Sequence, residues 1–381
     1  MNHVYLDHAA TSPMHPEVVN KMVPLMLNSF GNPSSIHFFG RESRRLLDET
    51  RASLAISIGA KRNEIIFTSG GTESDNLAII GTAHANKHKG KHIITSQIEH
   101  HAVLNTCKYL EKEGFTVTYL SVGENGQISL NELKSALTDE TILVTLMYGN
   151  NEVGTIQPIK EIGQLLKDYP SASFHTDAVQ AYGIEDIDVN ALGIDLLSVS
   201  AHKINGPKGV GFLYVREGKK IHSSTHGGEQ ELKRRAGTEN VAGIVGLGYA
   251  AELANASRAE KRALYNSFKE KMLTIFKENS VKFEINGSQD QSLPHIFNIY
   301  FPGTNVESLL VNLDLAGVAV SSGSACTAGS IDPSHVLVAM YGGNSERIAS
   351  SVRFSFGIGN TIDEIEHATQ VTTKIVKRLT T

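Results

Sequence analysis

The sequence predicts an α/β protein whose centre is a mostly parallel β-sheet covered by helices. The first two thirds of the 381 residues contain short runs that are nearly continuous in Val, Ile, Leu, Phe and Thr, as expected for strands that are buried on both faces. Helical patterns separate these runs, and such alternation is typical of parallel sheets. The 34 glycines suit an enzyme with many tight turns between strands and helices.

Each predicted element of this sheet follows from its local pattern. The predicted strands are Glu64–Ser69, His92–Gln97, Phe115–Val122, Thr141–Tyr148, Ser173–Ala178, Leu196–Ala201 and Gly211–Arg216. The predicted helices between them are Glu73–Lys87, His101–Glu113, Leu130–Ala136 and Ile159–Asp168. Because ligands of such sheets bind at the carboxyl ends of the strands, we expect the functional residues at that edge.

The pattern changes after Asn240. The stretch Val241–Ser280 has a long helical pattern, apolar at first and charged later, and we predict that it connects two domains. The elements predicted beyond it make a smaller α+β domain: strands at Lys282–Ile285, His295–Tyr300 and Ser351–Phe356, and a final amphipathic helix with apolar residues at helical spacing from Ile362 to Leu379.

Composition and charge exclude several classes of protein. Apolar residues make up 40% of the chain, charged residues 20%, and the formal net charge is -5, so nothing predicts a basic nucleic-acid-binding face. No apolar stretch reaches the length of a membrane span, and the first residues lack a signal-peptide pattern. Two cysteines cannot form a disulfide framework. We therefore expect a cytoplasmic protein with no membrane or nucleic-acid partner.

A glycine-rich turn follows the first predicted strand. Ser69-Gly70-Gly71-Thr72 opens a helix, and backbone N–H groups at a helix N-terminus favour an anion such as phosphate. The same residue types also serve as a simple N-cap, with Thr72 as the capping side chain. The local sequence leaves both interpretations open.

Asp177 ends the strand Ser173–Ala178, and Gln180 follows it. An acid at the mouth of a buried sheet needs a partner, because an isolated buried carboxylate is costly. That partner is either a protonated ring nitrogen of a cofactor or a structural group such as an arginine or a helix N-terminus.

Lys203 directly follows the next apolar strand and precedes a Gly/Pro turn. A lysine so placed can have a lowered pKa and act as a Schiff-base amine, although a surface lysine in a loop fits the same residues. Together, an aldehyde at Lys203, a ring nitrogen at Asp177 and a phosphate at residues 70–72 describe pyridoxal 5'-phosphate.

Cys326 lies in Val320–Ser330, a run of small residues without large apolar neighbours. A cysteine kept for packing is usually buried among hydrophobic residues, so this segment predicts a loop that presents a thiol for covalent sulfur chemistry. A chance free cysteine on a Gly/Ser loop is the alternative. The other cysteine, Cys107, lies with apolar residues at helical spacing and is predicted to be in the core.

The chain resembles the pyridoxal-phosphate-dependent cysteine desulfurases, the NifS/IscS-like group within the class V aminotransferases. The resemblance covers nearly the whole chain and rests on motifs in the family's order: Tyr5–Thr11, Gly31–His37, Thr68–Asn76, Glu99-His100, Gly149–Gly154, Asp177–Gln180, Ser200–Gly209, Ala236–Asn240 and Ser321–Ala328. It implies the aspartate-aminotransferase-like fold (fold type I), with a large domain at 14–250 and a small domain formed by 1–13 and 251–381 that carries Cys326.

The resemblance also implies a cofactor-binding role for each matching residue. Lys203 would bind the cofactor covalently and His100 would stack on its ring and assist proton transfer. Asp177 would keep the ring nitrogen protonated, and Gln180 would hydrogen-bond the ring hydroxyl. The remaining cofactor-binding residues would be Gly71, Thr72, Ser200 and His202 at the phosphate, Asn151, and Thr238, which would reach the phosphate from the partner subunit of a homodimer.

The implied reaction converts L-cysteine to L-alanine. Asn151, Arg353 and Asn32 would bind the substrate, with Arg353 independently suited to a carboxylate by its planar fork. Lys203 would remove the Cα proton, and the Cys326 thiolate would take the substrate sulfur as a persulfide. A protein acceptor, either an iron–sulfur scaffold or a tRNA-thiolation enzyme, would then receive it.

Other functions remain open on the sequence. A selenocysteine lyase or an aminotransferase would keep the cofactor, and a non-catalytic sulfur-trafficking subunit would have a degenerate site. Transaminases do not need a presented thiol, and the four residues His100, Asp177, Lys203 and Cys326 are all present. No metal site is predicted, since His84 and His88 have no third ligand at metal-binding spacing.

Overall fold

The protein is described from a computed structural model that covers residues 3–322, 326–327, 330–331 and 333–381, with the backbone alone at 326–327 and 330–331. The strands in these residues are β1 (Val4–Tyr5), β2 (Ile65–Thr68), β3 (His92–Ser96), β4 (Thr116–Leu120), β5 (Thr141–Thr145), β6 (Ser173–Asp177), β7 (Leu196–Ser200), β8 (Gly211–Val215), β9 (Glu284–Ile285), β10 (Ile296–Tyr300), β11 (Val318–Ala319), β12 (Cys326–Thr327), β13 (Ser330–Ile331) and β14 (Ser351–Ser355).

The α-helices in the same part of the chain alternate with these strands as far as β6. They are α1 (Pro16–Asn28), α2 (Phe38–Ile56), α3 (Gly71–Asn86), α4 (His101–Lys112), α5 (Leu130–Ala136), α6 (Ile159–Leu165), α7 (Val241–Ala256), α8 (Arg258–Glu278), α9 (Val306–Leu315), α10 (His335–Tyr341) and α11 (Ile362–Thr380). None of the helices described is long and apolar enough to cross a membrane.

The central sheet has seven strands in the order β2-β8-β7-β6-β5-β3-β4. Every neighbouring pair is parallel except the two that involve β8. Since β8 is antiparallel to both β2 and β7, the carboxyl ends of the other six strands lie at one edge. The prediction of a mostly parallel seven-stranded sheet is confirmed.

The buried residues of β3, β5, β6, β7 and β8 explain why these segments read as continuous apolar runs. Every residue in each of these strands is buried, because helices cover both faces of the sheet. A strand that is buried on both faces has apolar residues at nearly every position. Its sequence therefore shows an apolar run with little alternation of apolar and polar residues.

The predicted helical stretch Val241–Ser280 is helical in the structure, but it is interrupted at Ser257, where α7 ends and α8 follows. Ser257 has φ -101° and ψ 8°, and its hydroxyl donates to the carbonyl of Leu253 at 2.7 Å, a local bond by which serine competes with helix continuation. The two helices also serve different hydrophobic clusters: Ala251 and Ala254 of α7 pack with the central sheet, whereas Phe268 and Met272 of α8 pack elsewhere.

A second hydrophobic cluster joins both ends of the chain. Leu6 packs there with buried residues of α8, α9, β10, β14 and α11, and β1 pairs in parallel with β11. Strands β14, β10 and β9 form a small antiparallel sheet in this region. Its strand β14 carries Arg353 to the edge of the central sheet.

Candidate active site

A cavity of about 520 Å³ opens at the carboxyl edge of the central sheet. Ten of the residues that the sequence predicted for binding or catalysis line it: Gly71, Thr72, His100, Asn151, Asp177, Gln180, Ser200, His202, Lys203 and Arg353. The fold brings them together because β2, β3, β5, β6 and β7 all end at this edge.

The end of the cavity beside the 69–72 turn lies where the ends of β2 and β7 meet across β8. Thr68 and Ser200 both pair with Gly211, the first residue of β8. A Cβ on Gly211 would lie 2.4 Å from the Val199 oxygen and 2.8 Å from the Gly70 Cα, so only glycine lets the 69–72 turn approach Ser200. Gly70 has φ +147°, and α3 begins at the next residue with its first N–H groups unpaired within the helix.

Thr72 does not cap α3, contrary to one of the two interpretations of this turn. The N-cap residue is Gly70, without a side-chain hydrogen bond. Glu73 instead accepts from the Ser69 N–H at 2.8 Å and pairs with Arg235 at 2.7 Å. The hydroxyl of Thr72 lies in the cavity wall, where it can donate to an anion.

Three titratable groups converge on the floor of the cavity. One side-chain atom from each of Asp75, His100 and Asp177 lies within 4.8 Å of the others. Burial raises the pKa of Asp177, although His100, the Val179 N–H and Lys203 oppose the rise. Burial and the neighbouring Asp177 raise the pKa of Asp75 further. This floor therefore favours a ligand that brings a positive charge to the two acids.

His100 is held by the helix that follows it. Its Nδ1 accepts a hydrogen bond from the Ala102 N–H at 3.1 Å, which caps α4. Burial lowers its pKa, and the nearby Asp177 partly offsets the effect. The imidazole thus keeps Nδ1 free of a proton and leaves Nε2 as its protonated nitrogen.

Lys203 ends the short turn that follows β7 and lies half-buried in the cavity wall. Its Nζ donates to the carbonyl of Ala9 and to that of Ala10 at 2.7 Å. Burial, reinforced by Arg353, lowers its pKa to about 8 despite Asp177 and Asp7. An amine with this pKa is partly neutral near pH 7, as a nucleophile requires.

The N-terminal segment completes this side of the cavity. Gln180 donates from Nε2 to the carbonyl of Ala9 at 3.0 Å, and His202 hydrogen-bonds through Nδ1 with the Thr11 hydroxyl at 3.1 Å. Burial lowers the pKa of His202 to about 4, so its ring is neutral. Residues 9–11 thereby fix three predicted site residues at once.

Arg353 forms the opposite wall. Its guanidinium donates to Asp7 Oδ1 at 2.7 Å and to the backbone carbonyl of Asn151 at 2.8 Å. Its Nε is buried and has no hydrogen-bond partner among the described residues. A fixed guanidinium in a cavity wall with unused donor capacity is suited to a carboxylate.

Three predicted site residues are not brought into the cavity by the described chain. Asn32 is exposed, and its side chain accepts from the Ser34 N–H at 2.9 Å. Thr238 is exposed and borders a separate cavity of about 130 Å³ beside Ser69 and Arg235. The side chain of Cys326 lies outside the described residues, while its backbone pairs antiparallel with Ile331.

Sequence reasoning missed four residues of the cavity or its supports: Asp7, Asp75, Glu152 and His335. Asp7 and Asp75 belong to motifs that carried the family resemblance, but their contacts depend on the fold. Burial raises the pKa of Glu152, which accepts from the Ser334 hydroxyl at 2.5 Å. The His335 ring lies tilted against the His101 ring, with ring centroids 4.7 Å apart. Its Nε2 lies 2.9 Å from the carbonyl oxygen of Glu99.

Cys107 and His84, for which the sequence predicted no catalytic role, both contact other described side chains. Cys107 is fully buried with Val103 and Leu110, and burial raises its pKa to about 12; its predicted place in the core is confirmed. His84 pairs with Glu113 at 2.7 Å.

The residues of the cavity fit pyridoxal 5'-phosphate. An amine with a lowered pKa, a buried acid pair and a glycine turn at a helix N-terminus match the aldehyde, the ring nitrogen and the phosphate. The trio of Asp75, His100 and Asp177 could also hold a cation by geometry alone. They share the cavity with Lys203, Gly71 and Thr72, which is the arrangement that an organic cofactor with an aldehyde and a phosphate requires.

The fold and cavity define a class of α/β enzyme with a lysine of lowered pKa at the carboxyl edge of its sheet. The model of the aminotransferase class-V family matches residues 4–367, and the chain belongs to that family. It is 61% identical over 380 residues to the "Putative cysteine desulfurase IscS 1" of Bacillus subtilis (strain 168), covering 100% of both chains.

Solved structures agree with this placement. The structure of a "NIFS-LIKE PROTEIN" matches with a TM-score of 0.92 and 34% identity, over 99% of this chain and 100% of that one. A second structure, "SspA in complex with cysteine", matches with a TM-score of 0.81 and 38% identity, over 92% and 98% of the two chains. The expected fold type I is confirmed.

Proposed function

We propose that this protein is a pyridoxal-phosphate-dependent cysteine desulfurase, which converts L-cysteine to L-alanine and carries the sulfur as a persulfide on Cys326. The observation that carries the proposal is the joint placement of Lys203, Asp177 and Arg353 in one cavity of about 520 Å³. The family membership and the names of the relatives support the same activity. One similar protein, SspA, has been solved in complex with cysteine, which favours cysteine as the substrate here.

The cofactor would be held by Lys203 at its aldehyde, by Asp177 at its ring nitrogen and by residues 70–72 at its phosphate. When bound, this group supplies an electron sink for negative charge at the substrate Cα. Asp177 supports that chemistry by keeping its negative charge next to a ring cation, which offsets the cost of burying the carboxylate. Asp75, whose pKa burial and the neighbouring Asp177 raise well above its ordinary value, lies beside it.

Arg353 and Asn151 bind the substrate carboxylate. The Arg353 guanidinium is already oriented by Asp7 and by the Asn151 carbonyl, so little side-chain freedom is lost on binding. Its charge and planar fork select a carboxylate over a neutral group.

Lys203 and His100 handle protons. Because its pKa is lowered to about 8, Lys203 can accept the substrate Cα proton and return it near neutral pH. His100 faces the same cavity with its proton on Nε2, since Nδ1 is bound to the Ala102 N–H.

Sulfur transfer balances without an external oxidant. The Cys326 thiolate attacks the substrate sulfur, an S–S bond forms, and the Cβ–S bond breaks. The electron pair of that bond remains on carbon and is protonated, which gives alanine. The persulfide sulfur then passes to the thiol of an acceptor protein.

A homodimer belongs to the proposal. Large apolar side chains are exposed together on α1 and the segment after it, including Phe30 (73% exposed) and Ile36 (90%), and Phe30 contacts Phe39 with ring centroids 5.0 Å apart. Such patches mark protein interfaces. Thr238 lies outside the cavity of its own chain, as a residue that serves the partner's phosphate site would.

We also propose that the chain forms two domains, because its buried apolar residues fall into two main clusters. Most buried apolar residues between 14 and 256 pack around the central sheet, whereas Val4 and Leu6 pack with the elements after Ser257. The proposed boundary thus follows the end of α7, six residues after the one expected from the sequence.

The test uses wild type, Cys326→Ala and Cys326→Ser with L-cysteine and no added reductant. Alanine would be quantified and the intact proteins weighed for one extra sulfur. We expect alanine and the added sulfur in wild type alone, while cysteine still changes the cofactor absorbance of both variants. Equal alanine from all three proteins would contradict the role of Cys326, and a wild type that takes up no pyridoxal phosphate would contradict the whole proposal.

A further inference from the structure

His295 lies behind the cavity and has no assigned role. It immediately precedes β10, it is buried, and it does not line the main cavity. Its Nε2 lies 3.3 Å from Oε1 of Gln180, which does line that cavity. The imidazole therefore contacts Gln180 from behind the cavity wall, while Gln180 itself lines the cavity.

We propose that His295 is a positioning residue that fixes the orientation of the Gln180 amide, so that an N–H of Gln180 points at the ring oxygen of the cofactor. This inference rests on the proposed function, because it assigns the oxygen that Gln180 would meet to pyridoxal phosphate.

The Ala9 carbonyl determines which end of the amide is which. A carbonyl only accepts hydrogen bonds, so the Gln180 atom 3.0 Å from Ala9 O must be Nε2. Oε1 then faces His295, and His295 Nε2 must carry the proton of that hydrogen bond. The second N–H of Gln180 Nε2 stays available to the cavity.

The surroundings of His295 hold it in this neutral form. Burial is the main cause that lowers the pKa of His295 to about 3, and the neighbouring groups Lys269, His8, Lys203 and Arg353 lower it further. With a single ring proton committed to Nε2, Nδ1 is an acceptor. A protonated imidazole could make the same contact, but the four neighbouring groups oppose its charge.

A small second cavity lies next to this imidazole. It has a volume of about 30 Å³ and is lined by polar side chains that include His8, Ser12, Lys261 and His295. His295 Nδ1 is buried without a hydrogen-bond partner among the described residues. This space is large enough for one water, whose O–H would satisfy Nδ1 and keep the proton on Nε2.

Loss of His295 would leave the Gln180 amide held by the Ala9 carbonyl alone and its buried Oε1 without a donor. Rotation of the amide would then turn Oε1 toward the cavity in place of an N–H, where Oε1 and the ring oxygen of the cofactor would both be acceptors. Loss of His295 should therefore weaken the binding of the cofactor and change its absorbance. Both changes should require the Gln180 side chain.

The experiment compares the Kd of pyridoxal phosphate in wild type, His295→Leu, His295→Gln, Gln180→Leu and the His295→Leu/Gln180→Leu double variant. We expect His295→Leu to raise Kd about tenfold, the cost of a misdirected buried hydrogen-bonding group, and to shift the pH at which the bound cofactor changes absorbance. His295→Gln, which retains an N–H near the position of Nε2, should stay within about threefold of wild type. In the Gln180→Leu background, His295→Leu should change Kd less than about twofold.

A matched control is His92→Leu. His92 is also buried and hydrogen-bonded, to the hydroxyls of Thr118 and Thr141 at 2.8 Å each, but it lies at the start of β3. The His92→Leu variant should be less stable than wild type, but its Kd for pyridoxal phosphate should be the same as that of wild type. An equal rise in Kd with and without Gln180, or no rise in His295→Leu, would overturn the inference while leaving the proposed function intact.

The tautomer can be read in the wild-type protein even if the variants fail to fold. Imidazole ¹⁵N shifts of the holoenzyme should show a neutral His295 with its proton on Nε2 at pH 7. A proton on Nδ1 alone, or an imidazolium, would overturn the inference. A wild type that binds no pyridoxal phosphate would instead defeat the proposed function, and this inference with it.

Discussion

The two walls of the cavity differ in how their charges are balanced. On the sheet wall, burial works against the charged forms of Asp75, Asp177, His100 and Lys203. On the opposite wall, the two terminal nitrogens of Arg353 already donate to the Asn151 carbonyl and to Asp7. A ligand that neutralises the buried groups of the sheet wall therefore stabilises that wall, whereas Asp7 already balances the charge of Arg353. The sheet wall is suited to a cofactor that stays bound, and the Arg353 wall to a substrate that binds and dissociates in each turnover.

Lys203→Ala should give the largest effect, because it removes the proton carrier of the sheet wall. We expect alanine formation to fall by roughly 10³-fold, the usual contribution of a general base, while pyridoxal phosphate still binds without covalent attachment. Lys208→Ala, an exposed lysine five residues later, is the control and should retain full activity. Substantial turnover in Lys203→Ala would show that another base serves the reaction.

Arg353→Lys should separate the two walls. The single ammonium cannot reproduce the fork that contacts Asp7 and Asn151, and we expect kcat/KM for cysteine to fall about 100-fold, mainly through KM. The Kd of pyridoxal phosphate should change little. The partly buried Arg347, which pairs with the exposed Glu284 outside the cavity, offers Arg347→Lys as a control. A variant that loses the cofactor but keeps its KM would mean that Arg353 serves the sheet wall.

The lowered pKa of Lys203 predicts a pH profile for cofactor uptake. Only the neutral amine attacks the aldehyde, and below the pKa its fraction rises about tenfold per pH unit. Since burial lowers the pKa to about 8, the rate of uptake by the apoprotein should rise to about pH 8 and then level off. Stopped-flow absorbance would measure it. A rate that keeps rising to pH 10 would indicate an ordinary lysine.

Gly211→Ala should give the smallest of these effects and act on the sheet wall alone. A Cβ at this position would press on the Val199 oxygen and the Gly70 Cα, and we expect a loss of about 1–3 kcal/mol in the free energy of unfolding. The Kd of pyridoxal phosphate should rise, with KM for cysteine unchanged. Gly343→Ala is the control, because nothing lies within 4 Å of a Cβ there. Urea unfolding of both variants checks the difference.

The same comparison explains what could be predicted from the sequence. The sheet wall follows from local signals: each strand is an apolar run, and Asp177 and Lys203 stand at or just beyond the strand ends, so topology alone brings them together. The contact between Arg353 and Asp7 joins residues 346 positions apart, and no local pattern indicates it. The break at Ser257 has no clear sequence signal, because both of its flanks are good helix formers and only their packing differs.

The measurement that tests the two-wall account most directly is a crystal structure of Lys203→Ala with pyridoxal phosphate and L-cysteine. The account predicts the phosphate at the N-terminus of α3, the ring nitrogen at Asp177, and the cysteine carboxylate hydrogen-bonded to Arg353 with Asp7 still in contact. A cysteine carboxylate bound at the glycine turn, or a cofactor ring placed against Arg353, would contradict it.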